Sequence, residues 1–157
     1  MRLSELLNAQ AITTRLRART KRDAIAELVE LLESAYDVDS KGEIFSRVWR
    51  REEEHTTGIG NGIAIPHGKA LALNRMVAAC GVSPLGVAYD SMDGSDVVTL
   101  VVLLVAPESV GPLQVKVLAN ISRVLKEESV RQSLREAAHP EAFLAALRAA
   151  EAVHIPS

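Results

Sequence analysis

From Val97 to Val105 the chain is apolar at every position except Thr99, and most of these residues are β-branched. A strand with one face in water alternates apolar and polar residues, whereas an unbroken apolar run has both faces covered. The stretch therefore predicts a central strand in a sheet with helices on both sides, an α/β architecture. Pro107 has no N–H to give to a ladder and ends the strand.

The flanking segments supply the helices. Thr20 stands three residues before Asp23 in a cap-like arrangement, and Ile25, Leu28, Val29, Leu32 and Ala35 recur at helical spacing, predicting a helix over 21–35. Ser40 and Glu43 repeat the cap signal and predict a second helix to about Glu54, with Ile44, Val48 and Trp49 inward. Leu118, Ile121 and Leu125 mark a third that begins near Pro112, and two more follow near 129–138 and 140–151, the last with Pro140 in its first turn. Loose alternation predicts a short strand within 11–18, and further strands are expected at Met76–Val82 and Ile63–Ile65. The order of the strands is not contained in these patterns. No repeat or Pro/Gly/Ser-rich linker interrupts the 157 residues, so residues 1–157 read as one domain.

Charge and composition narrow the function. A net charge of -2 and a pI near 6.1 argue against a nucleic-acid binder, which needs a basic face to neutralise phosphates. An aromatic content of 3% leaves few platforms for stacking bases. No apolar run follows Arg2 as in a signal peptide, and Leu100–Ala106 falls far short of the roughly 20 residues of a membrane span, so a soluble, cytoplasmic protein without membrane insertion is expected. Cys80 is alone, which precludes an intrachain disulfide and fits a small core residue. Without HExxH, paired cysteines or histidines at helical spacing, no metal site is expected.

Chemistry concentrates in Arg51 to Lys69, REEEHTTGIGNGIAIPHGK. Three glycines in five residues, Gly58 to Gly62, allow a tight turn that brings backbone N–H groups close to an anion. They precede a strand rather than a helix, so neither a P-loop nor a dinucleotide fingerprint can be read. His67 then stands between Pro66, which restricts the backbone, and Gly68, which leaves one side of the imidazole uncrowded. An imidazole with a pKa of about 6.5 is neutral enough near pH 7 to attack a phosphoryl group. The remaining polar residues read more simply. His55 is a solvated residue at a helix end, with a lesser reading as support for His67. His139 caps or precedes the last helix, His154 lies in a mobile tail, Lys69 is a surface charge, and Arg50 with Glu52–Glu54 forms a solvated helix end.

Taken whole, the stretch resembles the active-site signature of phosphotransferase-system enzyme IIA domains of the fructose/mannitol/nitrogen-regulatory class. That signature is an RE pair, a GxGNGxAxPH loop and strand, and a phosphorylated histidine. Arg51-Glu52, Gly60-Asn61-Gly62, Ala64, Pro66 and His67 match it in order and spacing. LSELLNAQAITTRLRARTKRDAIAELVELL is similar to the opening of the free-standing nitrogen-regulatory members, and VVTLVVLLVAP with LANISRVLKEESV to the central strand and following helix.

The resemblance implies a mixed sheet flanked by helices on both sides with His67 near the strand ends, and it implies that His67 takes a phosphoryl group from a histidine phosphocarrier protein, HPr or its nitrogen-pathway counterpart. Arg51 would stabilise the phosphoryl oxygens, and Thr56, Thr57 and the Gly60–Asn61–Gly62 loop would add hydrogen bonds. No metal, nucleotide or other cofactor is needed for transfer between two histidines. Onward partners would be an enzyme IIB component or a regulated transporter or kinase, with nitrogen regulation favoured over sugar transport. The family commonly has a second histidine at the start of the helix after the central strand; Gln114 stands there. A glutamine amide donates a hydrogen bond but holds no proton, which implies an altered transfer rate or phosphohistidine lifetime. The alternative reading is a docking module that regulates a transporter or kinase without phosphotransfer.

Overall fold

The computed structural model of the chain describes residues 1–155. Six strands form one mixed sheet in the order β1-β5-β6-β3-β2, with β4 also on β6. They are β1 (Ile12–Thr13), β2 (Gly58–Gly60), β3 (Ile63–Ala64), β4 (His67–Lys69), β5 (Val77–Ala88) and β6 (Val97–Ala106). As its unbroken apolar character requires, β6 is central: from Leu100 to Ala106 no residue is more than 1% exposed. It pairs antiparallel with β5 and parallel with β3 and β4, which lie end to end along its other edge.

Five α-helices complete the fold: α1 (Lys21–Ala35), α2 (Glu43–Glu54), α3 (Gly111–Leu125), α4 (Glu128–Arg135) and α5 (Pro140–His154). α1 packs on β5 and against α2, and α2 lies over β4; α3, α4 and α5 pack on one another, with α4 against β5 and α5 against β1. The expected caps form. The Thr20 hydroxyl accepts from the Asp23 N–H at 3.3 Å, and His139 caps α5 by accepting from the Ala142 N–H at 3.1 Å.

Several expectations need correction. Only Ile12 and Thr13 of the 11–18 segment enter the sheet, because the Thr13 hydroxyl takes the Arg15 N–H and the Glu27 carboxylate takes those of Arg17 and Ala18. β5 runs past Val82 to Ala88, since a bulge with Gly86 at φ 90° absorbs Pro84. Ser40 contributes to the start of α2 by accepting from the Ile44 N–H, but the residue at the cap itself is Gly42, in a left-handed conformation at φ 88°. His154 belongs to α5 rather than to a mobile tail. Cys80 is fully buried in the core, where burial pushes its thiol pKa above the ordinary 9.0.

Candidate functional site

The edge strand that carries His67 is broken at Ile65–Pro66. β3 pairs with β6 as far as Ala64, and β4 resumes pairing at His67 opposite Leu104. Across the gap the Ile65 N–H donates to the Thr57 carbonyl at 3.0 Å, while the Pro66 carbonyl accepts from the Leu104 N–H at 3.0 Å. Ile65 thereby leaves the ladder, and its carbonyl accepts from His67 Nδ1 at 2.8 Å. A carbonyl only accepts, so Nδ1 carries the proton and the neutral ring keeps its lone pair on Nε2. Among the described residues Nε2 has no hydrogen-bond partner.

His67 is half-buried, and its pKa lies below the ordinary 6.5. Burial is the main cause and the Arg51 guanidinium adds to it; the bond to the Ile65 carbonyl and the charge of Glu52 act in the opposite direction. The ring is therefore neutral at pH 7.

Gly68 serves a different purpose from the one expected of it. A Cβ there would lie 3.1–3.2 Å from the Cγ2, Cα and N atoms of Val48. The absent side chain lets α2 rest directly on β4, rather than freeing space beside the imidazole. One turn beyond Val48, Arg51 reaches the site, where its Nη1 donates to the His55 carbonyl at 2.8 Å. The far side of β4 is anchored by α2 as well, since Glu43 accepts the Leu71 and Ala72 N–H groups at 2.7 and 3.0 Å.

Two clefts meet at Arg51 and His67. One, of about 350 Å³, is strongly cationic: Arg47, Arg50, Arg51 and Lys69 line it, with Glu54 and Glu108. Lys69, read from sequence as a plain surface charge, and Arg50, read as part of a solvated helix end, thus share a cleft with His67. Gln114 closes this cleft, buried at 5% exposure, with Nε2 donating to the Gly68 carbonyl at 2.9 Å rather than to the imidazole. The other cleft, of about 330 Å³, is more apolar, with Ile59, Ile65, Met92 and Leu118 in its walls and His55 and Thr56 at its edge.

The remaining expected residues divide. Thr56 borders the apolar cleft, but its hydroxyl donates to the Asp90 carbonyl at 2.6 Å. Thr57 lines the same cleft, yet its hydroxyl is spent on Glu52 and Tyr89 in the interior. The Gly60–Asn61–Gly62 loop lines neither cleft. It is the β2–β3 turn, with all three residues at positive φ (98°, 59° and 76°). The anion its backbone meets is the protein's own: the Asn61 N–H donates to Asp93 at 3.3 Å, and Arg135 donates to the Asn61 carbonyl at 2.9 Å. Glu52 departs from its expected place in a solvated helix end. Far from being solvated it is 3% exposed, and its carboxylate is bonded by Thr57, Tyr89 and Lys21. Its place beside Arg51 in the matched pair was the available signal. Among the described residues no group of His, Cys, Asp and Glu side chains is arranged to hold a metal.

The chain is similar to known proteins over most of its length. The family model described as "Phosphoenolpyruvate-dependent sugar phosphotransferase system, EIIA 2" matches residues 5–150. The chain is 32% identical over 149 residues to a nitrogen regulatory protein of Bradyrhizobium diazoefficiens, covering 94% of this chain and 95% of that one. It is also 32% identical over 144 residues to the fructose-specific EIIABC component of Bacillus subtilis, but there 92% of this chain corresponds to only 22% of the relative. Among solved structures, the nitrogen regulatory protein IIA-Ntr of Neisseria meningitidis superposes with a TM-score of 0.83 at 27% identity, covering 92% of this chain and 97% of that one. The chain belongs to the EIIA 2 family of the phosphoenolpyruvate-dependent sugar phosphotransferase system.

Proposed function

We propose that this chain is a phosphoryl carrier, with Nε2 of His67 as the acceptor atom and a phosphohistidine carrier protein of the HPr type as donor. The observation that carries the reading is the commitment of Nδ1 to the Ile65 carbonyl, which leaves a neutral Nε2 lone pair beside a cationic cleft. In the transfer this lone pair attacks phosphorus, the donor's N–P bond breaks, and its electrons return to the donor imidazole. His67 then bears the phosphoryl group on Nε2 and keeps the proton on Nδ1, where the Ile65 carbonyl supports the ring's new positive charge. Phosphoryl transfer gains chiefly from positioning and electrostatics, and Arg51, with Arg50 and Lys69 behind it, supplies cations for the three phosphoryl oxygens.

Gln114 takes the place of a second histidine and works through the backbone, holding Gly68 beside the acceptor. With no proton to gain or lose, it contributes no charge change to the transfer, so rate and phosphohistidine lifetime depend on His67 and the cations. The apolar cleft is where the donor's own surface would seat. Onward, the group passes to an enzyme IIB component or remains as a signal read by a transporter or kinase. Likeness to nitrogen regulatory proteins, 32% identical in Bradyrhizobium diazoefficiens and with a TM-score of 0.83 to that of Neisseria meningitidis, supports the regulatory role. The relay belongs to the cytoplasm, and among the described residues no helix is long and apolar enough to cross a membrane.

Incubation with a phosphorylated HPr-type donor tests the proposal. Acid-labile, base-stable phosphate is expected on the wild type and none on His67→Ala. A donor active on another IIA protein that leaves the wild type unlabelled would overturn it in favour of a docking module without phosphotransfer.

A further inference from the structure

Glu52 lines neither cleft, yet its contacts lead to the imidazole. Its Oε2 accepts the Thr57 N–H at 2.9 Å, the Thr57 carbonyl accepts the Ile65 N–H at 3.0 Å, and the Ile65 carbonyl accepts His67 Nδ1–H at 2.8 Å. Thr57 and Ile65 are thus each held on both backbone groups, and the run ends on the nitrogen whose protonation decides which ring atom is nucleophilic. The carboxylate is itself held from the other side. The Tyr89 hydroxyl, just after β5, donates to Oε1 at 2.8 Å, and Lys21, the first residue of α1, reaches Oε2 at 3.3 Å. Burial makes such a network rigid when every member is satisfied, because any alternative leaves a polar group unpaired.

We propose that Glu52 is the positioning residue for His67: through Thr57 and Ile65 it holds the imidazole in the Nδ1–H tautomer with Nε2 toward the clefts. The proposal rests on His67 being the phosphoryl acceptor. It gives the glutamate of the RE pair a role distinct from that of Arg51, which faces the clefts directly. Charge adds to geometry. Glu52 raises the basicity of His67 against burial and Arg51. The other charged or titratable groups around the two clefts are Arg47, Arg50 and Glu54 from α2, His55 just after it, Lys69 from β4 and Glu108 before α3. None of these hydrogen-bonds to Thr57 or Ile65.

The test uses the full chain and reads the His67 ring nitrogens by NMR, alongside single-turnover phosphoryl uptake from a phosphorylated HPr-type donor. In Glu52→Gln the Nε2–H tautomer should appear and the titration midpoint of His67 should fall. Uptake at saturating donor should slow by roughly 10- to 100-fold, since a misplacement of about 1 Å at a reacting group carries a loss of up to about 100-fold. Glu151→Gln alters an equally buried carboxylate remote from His67 and should leave tautomer and midpoint at their wild-type values. A folded Glu52→Gln with a wild-type tautomer and midpoint overturns the proposal, and so does the same change in Glu151→Gln. Should Glu52→Gln not fold, Lys21→Met removes the cation opposing the carboxylate: the midpoint should then rise with the tautomer kept, and a fall or no change overturns the proposal. If the wild type takes up no phosphoryl group while Glu52→Gln still shifts the tautomer, the carrier reading fails and the positioning of His67 stands.

Discussion

Among the described residues two carboxylates are almost wholly buried, one in α2 and one in α5. Glu151, 1% exposed in α5, accepts the backbone N–H of Ser4 at 3.0 Å and its hydroxyl at 2.5 Å, which ties the start of the chain to its last helix. Glu52, 3% exposed in α2, likewise accepts the backbone N–H and the hydroxyl of one residue, Thr57. The local chemistry is the same: an acidic side chain satisfies a backbone donor and an adjacent hydroxyl inside an apolar setting. What differs is where the chain goes next. Ser4 leads into a short helical turn packed on α3, whereas Thr57 leads, through one backbone bond, to the residue that holds His67. A buried acid is therefore structural or functional according to its neighbour's neighbour, and burial alone does not distinguish the two.

The largest effect on stability should come from deleting the carboxylates. Glu52→Ala strands the Thr57 N–H and two hydroxyls and should cost about 3–5 kcal/mol, whereas Glu151→Ala strands one N–H and one hydroxyl and should cost about 2–3 kcal/mol. Urea titration measures both. Equal costs would mean that Tyr89 is not part of the Glu52 network. Gly68→Ala should follow, at about 1–3 kcal/mol, because the new methyl meets the Val48 backbone and α2 must lift from β4. Its diagnostic consequence is a loss of phosphoryl uptake as Arg51 moves with the helix, whereas Gly94→Ala, at a position with no neighbour within 4 Å but a φ of 86°, should affect stability alone.

The smallest effect concerns pH. His67 is held below its unfolded pKa of 6.5, so the unfolded chain binds more protons in the interval between the two values. Stability from this group is complete above about pH 6.5 and declines as pH falls through the folded pKa. Uptake should fall in the same direction, because protonation removes the Nε2 lone pair. Denaturation of wild type and His67→Ala across pH 5 to 7 checks the sign: the mutant should lack this share of the decline. Glu151→Gln should retain it, as its carboxylate has no path to the imidazole.

Much of the fold was legible because it is written in local periodicity. The unbroken apolar run at 97–105 called for a doubly covered strand, and helical spacing with Thr20 as cap predicted α1 from Lys21 to Ala35. These signals survive because burial and capping act within one or two turns of the residues that encode them. Pro84 and Gly86 hid the second half of β5, since residues that break a strand in isolation are tolerated at a bulge.

At the site, the sequence by itself singled out His67, with Arg51 sixteen residues before it, as the candidate centre of the chemistry. It also placed Gln114 at the start of the third helix. Only the tertiary structure decided which members of the Arg51–Lys69 stretch face the clefts. It turned Gly60–Asn61–Gly62 toward Asp93 and Arg135, turned the Thr57 hydroxyl inward, set Gly68 under α2, and brought Arg50 and Lys69 beside His67. The physical reason is that a hydrogen bond or a close contact depends on separation in space. Glu52 meets Tyr89 37 residues away and Gln114 meets Gly68 46 residues away, distances along the chain that no local pattern encodes.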